Sequence, residues 1–378
     1  MKNYKVSSLD YYGRGVIKDD NKVIFVENAL VDEIINIEIV NEKKKFCEAK
    51  VTKYIKESPL RIKPICPYYD KCGGCDIMHI SYEEQLKFKK NKVKEIMDKF
   101  KIDVPVMNVI PTNQFGYRNK VTLHNNKKLG FFKKNSYDVI EVEKCLIASD
   151  KINIELLKLN KNYKGKQIVI RSTEDDSTVI YDGKDGKRLI ENISGFKYRI
   201  SPKAFFQVNK DGMIKLYDKV LEYVDLNLND IVLDLYCGTG TIGIYLSPYC
   251  KEVLGIELNS DAINDAIYNQ KLNNVNNIKF KLGDVSKVIS NVKYKPTVIV
   301  VDPPRSGLDK NTINYLLDSN SQKIVYVSCD VVTLARDLKL LEEKYNILEI
   351  TPVDMFPNTH HIECVCLLKC KYNKKNKC

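Results

Sequence analysis

The hydrophobic positions change rhythm near residue 200. Beyond it, short apolar runs recur with room for a helix between them: Ile231–Leu235, Glu252–Ile256, Ile278–Phe280, Thr297–Val301 and Lys323–Val327. Uninterrupted apolar runs separated by helical stretches predict parallel strands buried on both faces, and so a doubly wound, Rossmann-like α/β domain over 200–372. Before residue 55 the runs Val23–Val26, Ile34–Val40 and Ala49–Tyr54 are β-rich, and Lys43 to Lys45 mark a hairpin tip. They predict a small OB-like β-barrel over 1–55. The region 60–195 reads as strand-rich, with Val121–His124, Gln167–Arg171 and Thr178–Tyr181. It also holds one helix over 82–100, expected to pack on the C-terminal domain. Ser81 and Glu84 form its capping box, and Leu86, Val93, Ile96 and Met97 its apolar stripe.

A length of 378 residues accommodates these three units. Lys plus Arg (61) exceeds Asp plus Glu (49), a formal charge of +12. That excess favours an acidic partner, nucleic acid being the commonest, although lysines also serve solubility. The opening residues carry no signal-peptide core, and no stretch approaches the roughly 18 apolar residues of a membrane span. The expectation is a soluble, cytoplasmic protein without a membrane partner, a monomer by default. In such a chain twelve cysteines point to metal, catalysis or burial rather than to a disulfide scaffold.

Asp234-Leu235-Tyr236-Cys237-Gly238-Thr239-Gly240 sits between a strand and a helix. Gly238 and Gly240 allow a ligand close to the backbone. Glu257 ends the next strand, where an acidic residue can accept hydrogen bonds from ribose hydroxyls. The dinucleotide pattern GxGxxG is only loosely met. With Asp284 and Asp302 at further strand ends, the set fits S-adenosylmethionine better than a nicotinamide cofactor. Cys329 follows the apolar run Tyr326-Val327-Ser328, where parallel sheets place ligands. Asp302-Pro303-Pro304-Arg305 forms a stiff loop in which Asp302 could accept from a uracil imide. Arg305 could lower a thiolate pKa or bind phosphate. Glu363 precedes the apolar run Cys364–Leu368 and is a candidate general base. Taken singly, Cys329 also reads as a buried strand cysteine and Glu363 as a surface carboxylate.

Five segments in order carry a resemblance to the RNA uracil-5-methyltransferases of the RumA/TrmA type. They are Phe205-Phe206-Gln207-Val208-Asn209, Asp234 to Gly240, Asp302 to Gly307, Val327-Ser328-Cys329-Asp330 and Phe356-Pro357-Asn358-Thr359-His360-His361-Ile362-Glu363. The resemblance implies Cys329 as nucleophile and Glu363 as proton acceptor. It also implies a cofactor and base pocket lined by Gln207, Tyr236, Thr241, Glu257, Asp284 and Asp302. The N-terminal barrel is similar to a TRAM domain, an RNA-binding module.

Cys66, Cys72 and Cys75, with the distant Cys145, make a four-thiolate set suited to a [4Fe–4S] cluster or a tetrahedral zinc. A triplet plus a single cysteine departs from the paired spacing of zinc ribbons and favours iron–sulfur. The spacing is similar to that of the family's cluster-bearing branch. Gly116-Tyr117-Arg118-Asn119-Lys120 and Phe131-Phe132-Lys133-Lys134 mix aromatic and basic residues, as RNA contacts do. Arg118 and Arg305 are the candidate RNA contacts. The expected activity is methylation of uracil C5 in RNA. Barrel and cluster together favour 23S rRNA over tRNA. The alternatives are the same reaction on tRNA, or a non-catalytic RNA-binding iron–sulfur protein.

Overall fold

The computed structural model describes residues 2–371 apart from 20, 21, 160, 161, 185, 203 and 290–293. Its largest sheet has seven strands. In spatial order they are Ile278–Leu282, Glu252–Glu257, Ile231–Leu235, Val298–Val301, Lys323–Ser328, Glu363–Cys370 and Tyr345–Val353. The first five are parallel, and Glu363–Cys370 runs antiparallel to both its neighbours. Chain order reverses between Ile231–Leu235 and Val298–Val301, the switch point at which such sheets open a ligand crevice. The apolar runs are buried on both faces because helices cover both. Leu233, Ile299, Ile324 and Tyr326 belong to one core, and Val232, Val300, Val325 and Val327 to the other. This is the α/β Rossmann-like domain that the periodicity predicts.

Residues 4–56 form a six-stranded sheet, with Lys22–Glu27 and Phe46–Lys56 as its one parallel pair. Register shifts at three places along Ile34–Glu42 bend this sheet around Val6, Ile17, Val26 and Ile35. Buried Glu33 is held by Arg61, whose Nε and Nη2 lie 2.5 and 2.8 Å from its two carboxylate oxygens. A third sheet of five strands, from Lys120–Asn126 to Ser177–Tyr181, packs against the helix Asp150–Lys158.

The helix Tyr82–Lys99 starts at Ser81, whose hydroxyl accepts from the Glu84 N–H. Its Val93, Ile96 and Met97 enter the core of the seven-stranded sheet. The same face buries Gln85, Lys89 and Lys92. Lys89 Nζ meets Asp354 Oδ1 at 2.5 Å, both side chains fully buried. Among the described residues no helix is long and apolar enough to cross a membrane.

Lys89→Ala should therefore destabilise the protein by about 3–5 kcal/mol, because it strands a buried carboxylate. Lys87→Ala, on the same helix but with a 57% exposed side chain paired to Glu83 and Glu84, should cost less than about 1 kcal/mol. Urea denaturation midpoints compare them, and equal losses would contradict this reading of the helix.

Candidate active site

The turn after Ile231–Leu235 is built from left-handed residues: Tyr236 at φ 63°, Gly238 at 54° and Gly240 at 77°. A Cβ on Gly240 would stand 2.6 Å from the Phe280 ring, so only glycine fits. A Cβ on Gly238 would meet nothing within 4 Å, which leaves that backbone open to a ligand. The Gly238 N–H donates to Glu257 Oε2 at 3.1 Å, and Glu257 Oε1 accepts from the Asn259 N–H at 2.7 Å. Asp234, fully buried beneath the turn, accepts from the Gly243 N–H through Oδ2 at 2.9 Å. Its Oδ1 has no partner.

These carboxylates feel one another. Burial, then the charges of Asp302 and Glu257, push Asp234 up to about 8. Burial and Glu257 push Asp302 up to about 7. An orphaned acceptor, an open glycine backbone and mutually repelling carboxylates fit a cationic nucleoside with hydroxyls to donate, the chemistry of S-adenosylmethionine. The remaining predicted pocket residues differ in their engagement. The Tyr236 hydroxyl lies 3.4 Å from Thr312 Oγ1. Thr241 Oγ1 accepts from Tyr217 at 2.7 Å, which ties it to helix packing. Asp284 caps the helix Val285–Val288 through Ser286. Gln207 is buried, and its carbonyl accepts from Asn119 Nδ2 at 3.1 Å.

The nucleophile candidate and the base candidate meet through strand register. Ser328 pairs with Cys364 across the antiparallel strands. Cys329 and Glu363 each lie one residue beyond this pair, and the Glu363 carboxylate is close enough to act on the Cys329 thiol. Glu363 is 4% exposed. Burial first, then Asp302, raise it well above the usual carboxylate range, and Arg305 opposes them. The half-buried Cys329 thiol is pushed up to about 12 by burial, then by Glu363 and Asp302, while Arg305 pulls it down. Arg305 is exposed, its Nη2 3.4 Å from His361 Nδ1. His361 is pushed down to about 3 by burial, His360 and Arg305. His360 has a structural partner in Asp76, Nδ1 to Oδ2 at 2.7 Å.

Arg118 and Arg305, 187 positions apart in the numbering of the chain, line one hollow of about 550 Å³ with Lys120, Phe356, His360 and His361. Its far end reaches Cys72 and Cys145. Cys66, Cys72, Cys75 and Cys145, all free thiols, line a second cavity of about 40 Å³ walled by Tyr69, Met78, Phe131 and Leu146. Burial pushes the Cys72 and Cys75 thiols up, and the neighbouring cysteines add to it. Among the described residues no group of three or more His, Cys, Asp or Glu side chains is arranged to hold a metal ion.

The motif reading quotes Asp234 and Lys120 without giving either a role of its own. Asp234 stands out as an acid inside an apolar run, a mark of enforced burial. The pairing of Lys120 with Arg171 leaves no local signal, because strand register makes it.

Fold and pocket define an α/β methyltransferase that uses S-adenosylmethionine. The family model for tRNA (uracil-5-)-methyltransferases matches residues 167–371, more than half of the chain. An uncharacterized RNA methyltransferase of Clostridium tetani is 34% identical across 99% of this chain and 97% of its own length. One from Staphylococcus aureus is 34% identical across 98% of each. Among solved structures, the Pyrococcus abyssi tRNA (uracil-54, C5)-methyltransferase in complex with S-adenosyl-L-homocysteine superposes with a TM-score of 0.78 at 27% identity. The match covers 97% of this chain and 100% of that one. The chain belongs to the tRNA (uracil-5-)-methyltransferase family.

These findings correct the expectation of a 23S rRNA enzyme from the branch defined by barrel and cluster. The expectation rested on the N-terminal barrel and the cysteine cluster together as marks of a ribosomal substrate. A tRNA-specific enzyme matches along 97% of this chain, the N-terminal sheet included, so that sheet does not discriminate between the two RNAs. The alternative, the same reaction on tRNA, takes its place.

The raised Cys329 pKa has a measurable sign. Iodoacetamide labelling of Cys329, followed by peptide mass spectrometry, should rise about tenfold per pH unit from 7 to 10 without a plateau, since only the thiolate reacts. Arg305→Gln should slow it at every pH. A plateau below pH 9 would show a thiol already activated in the free protein.

Proposed function

We propose that this protein methylates carbon 5 of a uracil in tRNA, with Cys329 as covalent nucleophile and Glu363 as the base. The placing of Cys329 and Glu363 beside each other at the ends of neighbouring strands, where the carboxylate acts on the thiol, carries the reading. Uracil C5 is too weak a nucleophile to attack a methyl sulfonium unaided. Addition of the Cys329 sulfur to C6 makes an enolate and turns C5 into a nucleophile. S-adenosylmethionine supplies the methyl group when bound, held by Gly238, Gly240, Glu257 and Asp302, with Gln207, Tyr236, Thr241 and Asp284 around them. Glu363 then takes the proton from C5, and the Cys329–C6 bond breaks to restore the ring. A carboxylate raised by burial is a stronger base than an ordinary one, which suits this step. The thiol, neutral in the free protein, releases its proton to solvent as its sulfur adds to C6. Arg305, which pulls the thiol pKa down, assists.

In this reading the six-stranded N-terminal sheet is a TRAM-like RNA-binding module. Residues 60–195 form a second unit that guides the RNA through Arg118. The target base leaves its stack to reach Cys329.

We also propose that Cys66, Cys72, Cys75 and Cys145 carry a [4Fe–4S] cluster. All four thiols face one dry cavity, and the pKa cost of gathering them there is met by ligation. The wider sulfur spacing of a polynuclear cluster also accommodates the lack of a single-ion arrangement. Anaerobically purified protein should contain iron and acid-labile sulfide at about four each per chain, both lost in Cys75→Ser. Zinc in their place would reassign the site.

The reaction is tested with labelled S-adenosylmethionine and unmodified transcripts of tRNA and 23S rRNA, with the product uridine mapped by mass spectrometry. Label at C5 of a tRNA uridine, abolished by Cys329→Ala, is the expected result. Glu363→Gln should slow turnover about 10²–10⁴-fold and accumulate an RNA–protein adduct stable to denaturing gel electrophoresis. Label in rRNA alone would overturn the tRNA assignment. An active Cys329→Ala variant would overturn covalent catalysis.

A further inference from the structure

A substrate of about tRNA size needs anchoring as well as chemistry, and the cations of this protein are unevenly answered. Strand Gln167–Ser172 pairs antiparallel with Lys120–Asn126, and the register sets Arg171 directly opposite Lys120. Like charges at such positions repel. Arg171 is 2% exposed. Its Nη2 donates to the Ala204 carbonyl at 2.8 Å, but Nε and Nη1 have no partner. Arg118 lies alongside, its Nε donating to the Lys120 carbonyl at 3.0 Å. The one acid that acts on Arg171 is Asp265. Its oxygens are taken by Arg199 Nε at 2.9 Å and by the Ser201 hydroxyl and N–H at 2.9 and 2.8 Å. Burial and the two arginines push Lys120 down to about 8. Thiolates around Cys145 would answer Arg118, but no cysteine acts on Lys120 or Arg171.

We propose that Lys120 and Arg171, flanked by Arg118, form a binding site for a backbone phosphate of the RNA, at the seam between the five-stranded sheet and the Ala204–Gln207 loop. A phosphodiester answers a buried, half-unpartnered guanidinium and an opposing ammonium together. The other oxyanion available in this reaction is the carboxylate of the cofactor. Phosphate is favoured because Lys120 and Arg118 open onto the hollow shared with Arg305, not onto the Gly238 turn. The inference rests on the RNA-methylating reading above and adds to it Arg171, outside every motif, and a role of its own for Lys120.

The test uses the full-length protein and the variants Lys120→Gln and Arg171→Gln, with Lys87→Gln as a surface control. Three quantities are measured: Kd for the tRNA transcript as a function of KCl, Kd for S-adenosylhomocysteine, and Tm. Lys120→Gln and Arg171→Gln should each weaken RNA binding about tenfold and reduce the salt slope by about one, with cofactor affinity unchanged. Tm of Arg171→Gln should hold or rise, since an unpaired buried charge is removed, whereas a structural arginine would lower it. If Arg171→Gln does not fold, Lys120→Gln alone decides. Unchanged RNA affinity and salt slope in Lys120→Gln would overturn the proposal. A selective loss of S-adenosylhomocysteine affinity would also overturn it, by assigning the site to the cofactor carboxylate. Failure of the wild type to methylate tRNA would count against the functional reading instead, and the salt slope on whichever RNA it binds would still decide the phosphate site.

Discussion

The buried contact between Lys89 and Asp354 fixes everything that leads into Glu363. Asp354 follows the strand Tyr345–Val353, and Lys89 also donates to the Phe356 carbonyl at 3.0 Å. One turn earlier on the same helix face, Gln85 Oε1 accepts from the Asn358 N–H at 2.9 Å. One turn later, Lys92 donates to the His360 carbonyl at 2.7 Å. Three polar residues on one face thus grip the segment 354–360. Asn358, buried and left-handed at φ 67°, turns its carbonyl to the N–H groups of Asp76 and Ile77, directly after Cys75. The cysteine loop, the helix and the strand that begins at Glu363 are therefore set in one geometry. Burying so many polar groups contributes less to net stability than to uniqueness, because a half-satisfied version of this network would be costly.

Around that fixed frame the charges divide. Asp234, Asp302 and Glu257 crowd the turn at Gly238, where Glu257 raises both aspartates' hold on their protons and Asp302 raises that of Asp234. Arg118, Lys120 and Arg305 line a separate hollow. An acidic pocket suits a sulfonium, and a basic hollow suits a polyanion. Cys329 lies under the opposing fields of Glu363 and Arg305. A thiol held neutral in the free protein is also protected from adventitious oxidation, which requires the thiolate.

The periodicity made the large sheet legible, since parallel strands buried on both faces leave contiguous apolar runs such as Val298–Val301. The helix Tyr82–Lys99 was legible from its cap and stripe, although three of its buried residues are Gln85, Lys89 and Lys92. Nothing in a lysine's neighbours along the chain says that an aspartate 265 positions away will bury it. The helices Asp150–Lys158 and Lys210–Val224 and the strand Tyr345–Val353 were not read from the pattern. The first is short, and the last mixes polar positions along an edge strand. At the site, Cys329, Glu363 and the glycine turn were legible because each sits at the end of an apolar run. The cationic pair Lys120–Arg171 was not, because it exists only through strand register.

The same distinction explains why chemistry was easier to read than substrate. The proposed reaction needs a sulfur, a carboxylate and a methyl-donor pocket, and each leaves a short local motif. Choosing one RNA over another needs the placing of cations and rings across parts of the chain far apart in sequence. The N-terminal sheet does not say which RNA is the substrate, because a tRNA enzyme matches along 97% of this chain. The hollow that joins Arg118 and Lys120 to Arg305 is one place where parts far apart in the chain bring such cations together. The Lys89–Asp354 frame holds the walls of that hollow in register with Cys329. A change in RNA preference within such a fold would then require new side chains around the hollow and no change at the strand ends that do the chemistry.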